Sequence, residues 1–119
     1  MTPQEIMDKM RDATMELGMK NQEMQRYSLA YAEAEQNYNI AVAVKMLEYK
    51  ADGMPVTIID KLVKGDKHVA SLRLELLRAE AVRDACIQRA RDLREEIGVW
   101  RSILTWEREE YRNANLMGG

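Results

Sequence analysis

The sequence predicts an all-α protein: two long antiparallel helices joined by a short capped corner helix, with a further short helix at the N-terminus. Three observations carry this expectation. Only 2 Pro and 6 Gly occur in 119 residues that are 46% hydrophobic and 32% charged, the composition of a helix-rich chain and not of a disordered one. Val69, Leu72, Leu76, Ala79, Arg83, Cys86, Ala90, Leu93, Ile97, Trp100 and Leu104 then alternate steps of three and four without interruption, the seam of a coiled coil or tight helical hairpin. Between Met19 and Ala51 there is neither Pro nor Gly, and Tyr27, Tyr31, Ala34, Tyr38, Ala41, Lys45 and Tyr49 recur at the same spacings.

Taken in order, Thr2 is placed to cap a first helix with Pro3 in its opening turn, and Gly18 is expected to end it. Residues 1–18 would then form a separate, mobile element. The long helix that follows stops at Asp52, Gly53 and Pro55, since Gly accepts the left-handed C-cap and Pro cannot continue the ladder. Thr57 is the expected N-cap of the corner helix "IIDKLVK", Gly65 its terminator and Asp66 the cap of the final helix. Gly98 lies off the seam and is expected to be tolerated. Residues 113–119 are expected to form a disordered tail, and the whole chain a single domain.

Composition also bounds function. With one Cys and one His, and no CxxC, HExxH or phosphate-loop spacing, no catalytic residue, metal ligand or cofactor is expected. The chain is expected not to be an enzyme. Cys86, on the seam, fits a small buried hydrophobe. No apolar run approaches the ~20 residues of a membrane span, and the first residues lack a signal-peptide core; the expected setting is soluble and intracellular. The net charge of -2 lowers the expectation of nucleic-acid binding without excluding a local basic patch.

Two groups of residues stand out. On the long first helix the tyrosines share one face, while Leu29, Ile40, Val44 and Leu47 lie on the opposite one, so "NIAVAVKML" is apolar nearly all round and implies neighbours on more than one side. The expected oligomer interface is Tyr27, Tyr31, Tyr38, Ile40, Val44, Leu47, Arg83 and Trp100, with Arg83 setting register against a Glu of a neighbouring helix. The second group is the corner. Lys50, Lys61, Lys64 and Lys67, with His68 and Arg73, surround two turns and two helix N-termini, where exposed amides favour phosphate. Interspersed Asp52, Asp60 and Asp66 nearly neutralise them, so repetition around an oligomer would be needed to build a strong site.

The order "VKMLEYKADG", "TIIDKLVKGDKHVASLR", "VWRSILTWEREEYR" resembles the small helical phage proteins of the UvsY-type recombination-mediator family, over roughly residues 27–112. That resemblance implies a homo-oligomeric ring of hexamer or heptamer type in the bacterial host cytoplasm. Such a ring would bind single-stranded DNA and help load a RecA-like recombinase onto strands coated by single-strand-binding protein. It implies DNA contacts from basic positions near the end of the long helix. Lys45 matches one; the next falls on Leu47, with Lys50 the nearest substitute. Tyr49 is a candidate for stacking on a base. The expected DNA-binding set is thus Lys45, Tyr49, Lys50, Lys61, Lys64, Lys67, His68 and Arg73. The alternatives are a structural or adaptor protein of phage assembly, and a host-directed inhibitor working through protein contacts.

Overall fold

The computed structural model describes residues 1–118 and contains α1 (Pro3–Ala51), α2 (Val56–Gly65) and α3 (Lys67–Gly118). The class is all-α. The separate N-terminal helix is corrected: α1 runs unbroken through Gly18. One glycine costs a helix about 1 kcal/mol, while a seam of Met10, Ala13, Leu17 and Lys20, each buried or half-buried, holds the helix on both sides of it. The expected tail is corrected in the same way, for α3 is helical across residues 113–118. Residue 119 lies outside the described residues.

The start of α1 is fixed by a reciprocal cap. The Glu5 amide donates to Thr2 Oγ1 at 3.2 Å, and the Thr2 amide donates to Glu5 Oε2 at 3.2 Å, which satisfies two of the orphan donors of a first turn. Its end is a Schellman turn. Gly53 stands at φ 79, its amide donates to the Lys50 carbonyl at 3.1 Å and the Met54 amide to the Tyr49 carbonyl at 3.1 Å, the two reversed bonds that close such a terminus.

The expected Thr57 cap is not formed. Helix α2 begins two residues earlier than expected, at Val56, with Pro55 at the cap position in extended conformation and no side-chain cap bond. Pro fixes φ and has no amide to orphan, so the turn starts without a side-chain acceptor. Asp66 does cap α3: the Val69 amide donates to Asp66 Oδ2 at 3.0 Å.

The chain comprises two compact units, Met1–Glu23 with the chain from Cys86 onward, and Met24–Ala85. In the first, Ile6 and Ala13 of α1 are buried with Cys86, Ala90, Leu93 and Leu104 of α3. Arg89 donates through Nε to Glu16 Oε2 at 2.7 Å and through Nη2 to Oε1 at 3.1 Å, and the Cys86 thiol donates to the Lys20 carbonyl at 3.3 Å. In this pairing the α1 numbers rise as the α3 numbers fall, so the helices are antiparallel. Burying a side chain the size of Leu93 contributes roughly 1.5–3 kcal/mol.

The second unit has its own core of Ile59, Val63 and Val69, against which Tyr38, Ala41, Val42 and Tyr49 pack. Helix α2 is thus the wedge between the C-terminal half of α1 and the start of α3. Tyr31 and Arg83 meet in the same unit, with the guanidinium 4.1 Å from the ring centroid, a cation–π contact.

Glycine substitutions separate these roles. Gly98 is helical with open space where a Cβ would stand, so Gly98→Ala should stabilise by up to about 1 kcal/mol. Gly53 also has open space, but its φ 79 is unfavourable for any L side chain, so Gly53→Ala should destabilise by about 1–2 kcal/mol. Thermal melts followed by circular dichroism should move in opposite directions for the two variants.

Candidate nucleic-acid interface

All eight residues expected to bind DNA belong to the second unit, but they do not form one surface. Lys45 is taken up by carboxylates. Its Nζ lies 3.1 Å from Glu48 Oε2 and 3.4 Å from Asp66 Oδ1, and 5.4 Å from the centroid of the Tyr49 ring. The hydrogen bond to Glu48, then the charge of Asp66, raises the Lys45 pKa above its ordinary value. Asp66 is held below the usual carboxylate range by the Val69 amide first, with burial opposing and Lys45 adding to the depression. Lys45 ties α1 to the cap of α3, so a phosphate would have to compete with Glu48 and Asp66 for it.

Tyr49 is half-buried: its ring packs on the Ile59–Val63–Val69 core, as that of Tyr38 does, and lies beside the Lys45 ammonium. The N-terminus of α3 is likewise occupied, because the Asp66 carboxylate already accepts from its first amides. An external phosphate would have to displace a bonded anion.

What remains open lies on α2 and the first turns of α3. Lys61, Lys67, His68 and Arg73 are exposed, and among the described residues none of them makes an ion pair. Lys64 meets Asp60 at 3.3 Å, a pair exposed on both sides and therefore worth little. Lys64 and Arg73 border a cleft of about 250 Å³ whose remaining walls include Tyr38, Val69, Leu74 and Leu77. Cations at the rim and an aromatic ring with aliphatic side chains within are what a single strand requires: a partner for phosphate and a surface for a base. Tyr38, Leu74 and Leu77 were absent from the expected DNA set. The signal for them was available, since Leu74 and Leu77 are apolar residues that fall off the α3 seam next to Arg73.

The expected interface residues also divide. Tyr27, Tyr31, Tyr38, Arg83 and Trp100 are half-buried by the chain's own packing, with Tyr38 on the second-unit core and Trp100 donating from Nε1 to Glu96 Oε1 at 3.3 Å. These five are thus engaged at least in part within the chain itself. The partner expected for Arg83, a Glu, is replaced by the Tyr31 ring and by Asp84, 3.2 Å away. Ile40, Val44 and Leu47, with Leu29, are exposed at 54%, 49%, 65% and 61%, as a surface awaiting a neighbour would be.

Among the described residues no group of three or more His, Cys, Asp or Glu is arranged to hold a metal ion, and no helix is long and apolar enough to cross a membrane. No family model, characterised protein or solved structure matches the chain.

The Asp66 cap has a defined acid dependence. A carboxylate depressed in the folded state contributes stability that is present above its unfolded value of 3.8 and is lost as pH falls through the lower folded value. Acid titration of the melting temperature should therefore show a decline below that pH. Asp66→Asn should lower the melting temperature at neutral pH and make the decline shallower.

Proposed function

We propose that the protein is a non-enzymatic, self-associating helical scaffold that holds single-stranded DNA through the cleft between α2 and α3, as a recombination mediator would. The observation that carries this reading is the cleft itself, with Lys64 and Arg73 at the rim around Tyr38, Leu74 and Leu77. Lys61 and Lys67 are further exposed lysines of α2 and the first turn of α3, while His68 lines a different cleft, with Lys45 and Glu48. Charge distribution agrees in sign: residues 45–73 hold six of the 18 basic residues and four of the 20 acidic ones, which leaves twelve and sixteen for the rest. The strand is thus drawn to this segment and repelled elsewhere.

Contacts of this kind have no means of reading base sequence, because rim cations meet phosphate and an apolar floor accepts any base. Repetition over several protomers would raise the affinity of a site that is modest in one. Exchange of single-strand-binding protein for a RecA-like recombinase on the strand so held is the step that the resemblance to recombination mediators adds.

An adaptor role in phage assembly is the second reading, favoured by the pairing of Lys45 with Glu48 and Asp66 and by the apolar outer face of α1. The two differ in one measurement. Under the first, fluorescence anisotropy with a labelled single-stranded oligonucleotide gives an affinity whose logarithm falls linearly with the logarithm of salt concentration. Lys64→Glu combined with Arg73→Glu weakens it by about tenfold or more, while Lys9→Glu, in the other unit, leaves it within about twofold. Failure to bind at about 50 mM salt would overturn the first reading.

A further inference from the structure

We propose that a second copy of this chain docks antiparallel along the outer face of α1, related by a two-fold axis that passes between Ile40 and Ala43. This deepens the self-association in the reading above and names its partner, but needs no nucleic acid.

The face has a seam of its own. Leu29, Glu33, Gln36, Ile40, Ala43, Leu47 and Lys50 follow one another in steps of four and three, and every one of them is exposed. Steps of this kind define two alternating heptad classes. Glu33, Ile40 and Leu47 form one class; Leu29, Gln36, Ala43 and Lys50 form the other.

Charge selects the direction. In a parallel pair each position meets its own copy, so Glu33 would face the partner's Glu33 and Lys50 the partner's Lys50, two like-charge contacts. In an antiparallel pair each class meets the other. Ile40 then lies on the partner's Ala43, a large residue on a small one; Leu47 lies along the aliphatic stem of the partner's Gln36; and Glu33 meets the partner's Lys50. The symmetry makes each contact twice, so both like-charge contacts become opposite-charge ones. Neither Glu33 nor Lys50 has an ion-pair partner in its own chain among the described residues, whereas Lys45 and Glu48, one step away on the same helix, are paired.

Leu29, Ile40 and Leu47 on this seam are each more than half exposed, and a second copy would cover them. The cleft of about 460 Å³ bordered by Ile40, Val44 and Leu72 lies beside the seam and can receive side chains of the second copy.

Sedimentation equilibrium on the full chain without nucleic acid provides the test. A dimer is expected, and Ile40→Glu should convert it to a monomer of unchanged helicity by circular dichroism. Glu33→Lys alone and Lys50→Glu alone should each raise the dimer dissociation constant by about tenfold or more, and the double variant should restore it. A wild-type monomer, a hexamer or heptamer, or single reversals without effect or without mutual rescue would overturn the proposal. Oligonucleotide binding by the wild-type chain is read separately: a monomer that binds overturns the pairing alone, and a dimer that does not bind overturns the DNA reading alone.

Discussion

The positive φ of Gly53 is the constraint on which the second unit depends. Among the described residues Gly53 alone has a positive φ, and the Schellman bonds it permits turn the chain off the end of α1 within a few residues. Helix α2 then starts at Val56 at the angle that brings Ile59 and Val63 onto Tyr38 and Tyr49. A side chain at residue 53 would clash with nothing around it; the restriction is entirely in the backbone, which is why a local residue choice governs a tertiary arrangement.

Asp66 is the second fixed point and shows how one carboxylate constrains function. It caps α3, closes α2 through its own amide to the Val63 carbonyl at 3.2 Å, and receives Lys45 from α1. Three helices are thus held by one residue. The same arrangement engages a cation and a helix N-terminus for which an external anion would have to compete, because both are already neutralised within the fold. The cations left unpaired among the described residues include Lys61, Lys67 and Arg73, on α2 and the first turns of α3.

Much of this organisation was legible in the sequence. The uninterrupted steps of three and four on α3, and the tyrosine-bearing face of α1, defined the helices and the faces that pack. Periodicity does not specify what covers a face, however, and the tyrosines could as well have met another copy. Gly18 was misleading because its local cost is small beside the packing of a seam that continues through it. Thr57 was misleading because capping residues signal a helix start only where the preceding backbone leaves the choice open, and Pro55 had already fixed it. The cleft at Lys64 and Arg73 joins residues from α1, α2 and α3, and its shape depends on the crossing of those helices, which no local pattern encodes.

Helix α1 combines two seams because 3.6 residues per turn allow steps of three and four to begin on either side of the cylinder. One seam is rich in tyrosine and is consumed in folding. The other is interrupted by Glu33, Gln36 and Lys50, and such polar interruptions weaken a coiled coil while restricting the partners and directions it accepts. A continuous aliphatic stripe would have associated more strongly and less selectively. The composition of the outer seam is therefore that of a surface selective in direction and partner, and its lysine, Lys50, lies outside the cleft of Lys64 and Arg73, so the proposed pairing and the proposed strand contact would draw on separate sets of charges.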